Sequence, residues 1–384
     1  MSRGSLIDYR SRARHFNFRY PVLNGILVQV NFWILANVLL ITLMHLILRA
    51  TSMIYPGVVN LPYWPQLLIT IAAGAMYGIL LGFIDHWLER HMITGCSLGR
   101  RILLKAAAYM AAFAVIIAGT MALHQVVFAD FFRSLGIEMT LETRLAWVSV
   151  ITLYTSVGNL LISFIKQVNR SFGPGVLLPL LLGRYRDPVV ERRIFMFMDL
   201  RASTTYAEQL GHLQYSAMIR DLFHDVNMAV PKHDAEIYQY VGDEVVFTWS
   251  VADGLHSHNC LDLFFSIQEN IVARAEEYRT RYGFVPEFKA GLHVGDVTAV
   301  EIGDIKREIA YHGDTVNTAA RIQGVCNEFG RQFLASDELL KLFNGAGTGA
   351  FRTDQVGSVL LKGKQEHVLI HGVERVGIRK MVAA

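Results

Sequence analysis

Four sets of residues in this chain have the types and spacing for phosphoryl chemistry. Asp199 ends the apolar run Ile194-Phe195-Met196-Phe197-Met198, so a carboxylate sits at the end of what reads as a buried central strand. Asp243 follows Gly242 between two apolar arms in Ile237 to Trp249, the pattern of a β-hairpin with an acid at its tip. Asn317 and Arg321 are four apart, hence on one face of the helix that Gly313-Asp314 opens. Lys362 and Lys364 sit in a short glycine-centred loop near the end of the chain. Paired acids can hold two divalent ions that bind phosphate oxygens and lower the pKa of an attacking hydroxyl. An arginine can stabilise charge building on a transferred phosphoryl group. Taken singly, each has a plainer reading: a helix cap for Asp199, a turn aspartate for Asp243, a solvated loop for the lysines. There is no Gly-rich Walker loop, which excludes a P-loop enzyme.

The elements that must position these residues follow from local pattern. Ile194 to Leu200 predicts a strand, and Thr205-x-x-Glu208 predicts a capping box for the next helix, which keeps apolar spacing up to Pro231. A long helix is expected over about Asp253 to Tyr282. A strand with a turn at Gly295-Asp296 is expected over Phe288 to Val300, and short strands around Val359 and from Val368 to Val373. Strands alternating with helices predict an α/β sandwich with a mixed sheet.

The first half has different chemistry. The 384-residue chain is 52% hydrophobic and 18% charged, with a mean hydropathy of +0.32, and the excess lies before residue 170. Val22 to Leu48, Leu67 to Ile84, Ala106 to Ala129 and Leu145 to Ile165 carry no charge. Each reaches or approaches the ~20 residues that cross a bilayer core, which predicts four transmembrane helices. The first is too long for a cleavable signal, and no small-residue cleavage site follows it. Arg3, Arg10, Arg12, Arg14 and Arg19 precede the first span; Arg90, Arg100, Arg101 and Lys105 lie between the second and third; Lys166 and Arg170 follow the fourth. The opposite loops hold only Arg49, Arg133 and Arg144. This bias places both termini in the cytoplasm of a multi-pass inner-membrane protein. The expected organisation is a basic N-terminal tail over 1–21, a four-helix membrane domain over 22–166, a linker over 167–191, a catalytic domain over 192–375 and a C-terminal tail over 376–384.

Gly74, Gly78 and Gly82 form a small-residue stripe for close helix packing, with a partner inside the chain or across a dimer. Asp85 and His86 fall at the inner boundary and read as interfacial. His45 and His124 lie at similar depth on the outer side, where paired histidines could ligate heme b or another metal centre; the plainer reading is interfacial hydrogen bonding. The linker is broken by Gly173-Pro174-Gly175 and again by Pro188, and it joins the two halves. Three isolated cysteines offer neither a disulfide framework nor metal-ligand spacing. A net charge of +3 without a basic, aromatic-interleaved tract argues against nucleic acid as a partner.

Ile194 to about Gly372 resembles the class III adenylate/guanylate cyclase catalytic domain. GDTVNTAAR at Gly313 to Arg321 is the most specific match, supported by FMDL at Asp199, YVGDEVVF at Asp243 and LKGK at Lys362. The resemblance implies a ferredoxin-like, palm-like α+β fold in which Asp199 and Asp243 hold two Mg²⁺ or Mn²⁺ ions. It also implies that Asn317 orients the ribose, Arg321 stabilises the α-phosphate in flight, and Lys362 meets the terminal phosphates. Sites in this family form between two head-to-tail chains, so a homodimer is expected. The base-reading positions depart from the family pattern. Gln239 stands where adenylate cyclases have lysine and guanylate cyclases glutamate, and Ala310 stands where adenylate cyclases have Asp or Thr. Gln239 can read either purine edge; the missing glutamate favours ATP over GTP. Ala202-Ser203 replaces the family's Gly-Phe, while Thr204 keeps the family's threonine. Gly-Asp-Glu-Val also resembles diguanylate cyclases, which lack the Asn-x-x-x-Arg helix. Other readings are a membrane heme or redox sensor with a weakly active cyclase, and a transporter, for which no broken helices or inverted repeat are evident. With no soluble sensor domain in view, any stimulus is expected to enter through the helices, their ligands or the lipid.

Overall fold

The computed structural model describes residues 20–55, 62–91, 98–123, 140–172, 182–304, 307–343, 350–360 and 367–376. The chain divides into a helical unit, Tyr20–Pro174, and a second unit that contains Gly175–Ala384.

In the helical unit the charge-free stretches become α1 (Pro21–Ile54), α2 (Tyr63–His91), α3 (Leu98–Leu123) and α4 (Leu141–Phe172). Three helices, Pro21–Ile54, Tyr63–His91 and Leu141–Val168, are long and apolar enough to cross a membrane. The third expected span lies on α3, which carries a shorter apolar stretch, Leu103–Val115; residues 124–129 of that span fall outside the described residues. The glycine stripe of α2 packs on α1. A Cβ at Gly78 would sit 2.5 Å from the Val30 Cα, and one at Gly82 would sit 2.8 Å from the Ile26 Cα. The partner left open by the sequence is therefore a helix of the same chain. Trp33 of α1 is fully buried, edge-on to Tyr77 of α2 at 4.7 Å and near Tyr154 of α4 at 6.2 Å.

Asp85 corrects the interfacial expectation. It continues the glycine-lined face of α2 and is 6% exposed. Its carboxylate meets Lys105 of α3 at 2.7 Å and Lys166 of α4 at 2.5 Å, and accepts from the Tyr109 hydroxyl at 2.6 Å. Burying a charge is costly unless it is paired and hydrogen-bonded. Two ammonium groups and a phenol meet that condition and tie three helices together at one end. His45 lies half-buried beside the Tyr63 ring, 5.0 Å between centroids, with its Nδ1 buried and unpartnered among the described residues. His124 falls outside them.

The second unit is built on β1 (Val189–Leu200). Residues of a strand alternate between faces, and both faces here are covered, which explains the continuous apolar run. Ile194, Met196, Met198 and Leu200 join the main core with Met218, Leu222 and Val226 of α5 (Ser203–Ala229). Phe195 joins a second layer with Tyr185, Val297, Tyr311 and Ala319. Each such fully buried side chain contributes about 1.5–3 kcal/mol relative to exposure. The other elements are β2 (Glu236–Val241), β3 (Glu244–Ser250), α6 (Val251–Leu255), α7 (Asn259–Ala273), α8 (Ala275–Tyr282), β4 (Phe288–Ile302), β5 (Glu308–His312), α9 (Asp314–Gly324), β6 (Phe333–Ser336), α10 (Asp337–Lys341), β7 (Phe351–Leu360) and β8 (His367–Arg375). Among the described residues, these strands make one sheet in the order β2-β3-β1-β4-β6-β8-β7, with β5 also on β4. The β4–β6 pair is parallel and the other pairs antiparallel, so the mixed sheet of the expected α+β class is present.

Three local expectations are corrected. The helix after Asp199 starts at Ser203 with Ala202 as a left-handed N-cap (φ 55°) and no side-chain cap, so Thr205 and Glu208 lie inside it and form no capping box. The single helix over Asp253 to Tyr282 is three helices, α6, α7 and α8, interrupted at His256–His258 and Arg274. Gly295-Asp296 makes no turn: β4 runs straight through, with Gly295 opposite Arg193 on β1. The glycine is there for packing, because a Cβ would collide with the Thr315 side chain of α9.

Candidate active site

Antiparallel pairing of β1 with β3 brings the two acids to one end of the sheet. Asp199 is the penultimate residue of β1, and Asp243 ends the two-residue loop closing β2 and β3, where Val241 pairs with Glu244. Gly242 has φ +63°, the left-handed value that a tight hairpin needs at its first loop position.

Asp199 is half-buried. Its Oδ2 accepts from Gln323 Nε2 of α9 at 3.2 Å and lies 3.3 Å from the Lys289 ammonium. Lys289 is the direct cross-strand partner of Asp199 on β4. Burial, then the neighbouring Asp243 charge, raises the Asp199 pKa, with Lys289 and Gln323 acting in the opposite sense. Glu244 is pushed up to about 7 by burial, then by Asp199 and Asp243. Tyr215 of α5 hydrogen-bonds Asp243, and burial followed by the two acids raises its hydroxyl pKa. The Oδ2 of Asp243 is buried with no hydrogen-bond partner among the described residues. The site thus gathers more negative charge than one lysine balances.

That excess is the test of fit for a divalent cation, and the acid pair meets it: an orphaned carboxylate oxygen, mutual repulsion and hard oxygen donors. Among the described residues, no group of three or more His, Cys, Asp or Glu side chains forms a metal cage. A cation at the Asp199–Asp243 pair would leave coordination positions that nucleotide phosphate oxygens suit.

The remaining expected residues lie elsewhere in the same unit. Asn317 is exposed and Arg321 half-buried on α9, whose buried face is Thr315, Thr318, Ala319, Ile322 and Gln323. Residues two apart on a helix differ by about 200°, so Arg321 turns away while Gln323 donates to Asp199. One chain therefore does not aim Arg321 at its own acids. Thr204 is exposed in the first turn of α5, where helix N–H groups lack intrahelical acceptors. Gln239 is half-buried at an irregularity in β2, and Ala310 is buried on β5 opposite Val300. Their sequence neighbours Tyr238 and Tyr311 pack edge-to-face at 5.1 Å, which brings the segments of Gln239 and Ala310 side by side. Lys362 falls outside the described residues.

Lys289, Gln323, Glu244 and Tyr215 were not among the expected site residues. Lys289 carried a signal, being the one charge in the apolar run Phe288 to Val294. Its pairing with Asp199 depends on strand register, and that of Gln323 on helix placement.

Residues 190–372 match the family model "Adenylate and Guanylate cyclase catalytic domain". The chain is 42% identical over 180 residues to "Adenylate cyclase 2" of Rhizobium meliloti (strain 1021), covering 47% of this chain and 50% of that protein. It is 31% identical over 146 residues to "Adenylate cyclase 1" of the same organism, covering 37% of this chain and 22% of that protein. The chain thus spans half or less of the length of these curated relatives. The adenylyl cyclase CyaB from P. aeruginosa is a similar solved structure, with 17% identity and a TM-score of 0.43, covering 51% of this chain and 100% of that one. Over residues 190–372, this chain is similar to the catalytic domain of adenylate and guanylate cyclases.

Proposed function

We propose that the protein is a membrane-bound adenylate cyclase that converts ATP to 3′,5′-cyclic AMP and pyrophosphate at the interface of a homodimer. The observation that carries this is the under-neutralised pair Asp199 and Asp243, placed at adjoining strand ends of a cyclase-family domain. In the reaction the ribose 3′-oxygen bonds to the α-phosphorus, the bond to the β-phosphate bridging oxygen breaks, and the hydroxyl proton is lost to the medium. Asp199 and Asp243 would hold two Mg²⁺ or Mn²⁺ ions. When bound, such ions polarise phosphate oxygens and acidify the attacking hydroxyl.

The protein's own groups supply positioning and charge. Lys289 pairs with Asp199 at 3.3 Å and so holds one ammonium beside the acids, where it would suit phosphate oxygens. Thr204 and the first-turn N–H groups of α5 face the same end of the sheet as Asp199 and suit phosphate oxygens. Asn317 orients the ribose, Arg321 stabilises charge at the α-phosphate and Lys362 meets the terminal phosphates, all three from the partner chain. The outward face of Arg321 supports that division of labour. Gln239 reads the base, with Ala310 leaving room beside it. The adenylate cyclase names of the relatives and the absence of a glutamate at Gln239 favour ATP.

The three long apolar helices and the Arg/Lys bias support a multi-pass protein in the inner membrane with both termini cytoplasmic. His45, whose buried Nδ1 has no hydrogen-bond partner among the described residues, and His124 are the candidate pair for heme b or another metal centre. A Soret band in the purified protein, lost in His45→Ala, tests that assignment.

For the enzyme, purified protein with Mn²⁺ and ATP should release cyclic AMP; turnover of neither ATP nor GTP would sink the proposal. Asp199→Ala and Arg321→Ala should each be inactive, yet their mixture should recover about a quarter of wild-type activity. Random pairing makes half the dimers mixed, each with one intact site of two. Competition between ATP and GTP on wild type and Gln239→Lys reads the base preference.

A further inference from the structure

The second packed layer joins two places that the proposed reaction keeps apart: the segment entering from the linker and the strands that read the base. Alternation along β1 puts Glu191, Arg193, Phe195, Phe197 and Asp199 on one face. This row spans about 26 Å at ~3.3 Å per residue. Its far end is the metal acid. Its near end is an anchored linker: Tyr185 is 1% exposed, accepts from the Glu301 N–H of β4 at 2.7 Å, and donates its hydroxyl to Glu191 at 3.2 Å. Arg184 closes the same corner through Glu191 at 3.0 Å.

Arg193 occupies the middle of the row and is 3% exposed. It donates to Thr248 of β3 at 3.0 Å, pairs with Glu191 at 3.2 Å and with Glu236 of β2 at 2.9 Å, and lies over the Tyr311 ring of β5 at 5.0 Å. One cation thereby grips both strands that carry the base-reading positions, at Glu236 three residues before Gln239 and at Tyr311 directly after Ala310. The Tyr311 N–H donates to the Tyr238 hydroxyl at 3.3 Å, which ties the strands to each other. Tyr185 packs in the same layer as Phe195 and Tyr311. Close-packed interiors pass displacement on rather than absorb it.

We infer that Tyr185 and Arg193 are positioning residues for nucleotide recognition, holding β2 and β5 at the spacing at which Gln239 and the Ala310 segment meet the purine. This rests on the cyclase reading of the site. It assigns the linker a specific output: pulling on the segment that ends in Tyr185 changes nucleotide affinity and base choice, while the acids and Arg321 set the chemical step. A residue that only stabilised the fold would lower the amount of active enzyme, and hence apparent kcat, with KM unmoved.

The test is steady-state kinetics of the full chain with Mn²⁺-ATP and Mn²⁺-GTP, alongside binding of a fluorescent ATP analogue and thermal unfolding. Tyr185→Ala and Arg193→Met should each raise the KM for ATP and the analogue Kd about tenfold, narrow the ATP/GTP ratio, and leave kcat within about twofold. Tyr185→Phe keeps the ring and should restore most of the wild-type KM. Should Tyr185→Ala not fold, Tyr185→Leu keeps apolar bulk without the planar ring and carries the same KM expectation. A fall in kcat or melting temperature with KM and Kd unchanged overturns the inference while the cyclase assignment stands. A wild type that neither binds nor turns over nucleotide removes both, and is told apart from the first result by the wild-type control alone.

Discussion

Two carboxylates, one in each unit, are withdrawn from water, and their surroundings could hardly differ more. Asp85 in the helical unit is met by two lysines and a tyrosine. Asp199 in the second unit is met by one lysine and one amide, and with Asp243 it raises the pKa of Glu244, while Asp243 raises that of Asp199. A fully satisfied buried acid is a structural clasp, since its folding cost has already been offset by protein groups. An acid cluster left short of positive charge is stable only because something else supplies it, and that marks a site. Burial alone does not separate structure from function here; the count of partners does.

The sharpest way to break this contrast is to remove each acid in turn. Asp243→Asn keeps shape and removes a charge that its neighbours repel. It should cut cyclic nucleotide formation at least about a thousandfold, the scale of several kcal/mol of metal-assisted stabilisation, while melting temperature holds or rises. Loss of folding with activity per folded molecule retained would assign Asp243 to the scaffold. Asp85→Ala should do the reverse. It strands Lys166 in the helix interior, while Lys105 keeps Glu89 at 2.7 Å, at a cost of about 3–5 kcal/mol, measured as lower thermal stability in detergent. Adding Lys166→Met should recover part of that loss, because one uncompensated cation is gone. If Asp85→Ala unfolds no more easily than wild type, the clasp reading fails.

How much of this was readable beforehand differs between the two units for a physical reason. In the second unit the informative residues sit in contiguous runs, so Asp199, Asp243, Asn317 and Arg321 could be placed on a strand end, a turn and a helix face. Partners set by register or docking were not readable: Lys289 reaches Asp199 through the β1–β4 pairing, and Gln323 through the seating of α9. In the helical unit, apolar length located the helices, three of them long enough to cross a membrane where four were expected. It could not show that Lys105 and Lys166, on two other helices, converge on Asp85. A trace was present, since Asp85 lies three residues after Gly82 on the close-packed face, where an acid needs a partner. Gly295 misled for the opposite reason: a glycine before an aspartate suggests a turn, whereas this one makes room for Thr315.

His233 offers a milder test, as a titratable group that burial keeps neutral. Its Nε2 lies 2.8 Å from the Ser266 hydroxyl, and burial, then Lys232 and Arg375, hold its pKa down at about 4. The unfolded value is about 6.5, so between the two the unfolded chain binds the extra proton. Stability from this group is complete above pH 6.5 and is lost as pH falls towards 4, by at most ~1.4 kcal/mol per pH unit. Urea unfolding at pH 7 and pH 5 should show that slope in wild type and a shallower one in His233→Gln. Equal slopes would assign the acid sensitivity to other groups.

The smallest expected effect lies beside Asp199 itself. Ala202 adopts φ 55° between the end of β1 and the first turn of α5. For a residue with a Cβ, the left-handed region costs roughly 1–2 kcal/mol, and glycine returns part of that gain through its freer unfolded chain. Ala202→Gly should therefore stabilise the protein by about 1 kcal/mol or less, read as a small rise in the unfolding midpoint. The strain sits two residues from the site end of the strand and none comparable is needed at Asp85, whose helix is regular through Tyr63–His91. If Ala202→Gly instead destabilises, the alanine methyl makes a contact that outweighs its backbone cost, and the turn into α5 is held by packing rather than tolerated despite strain.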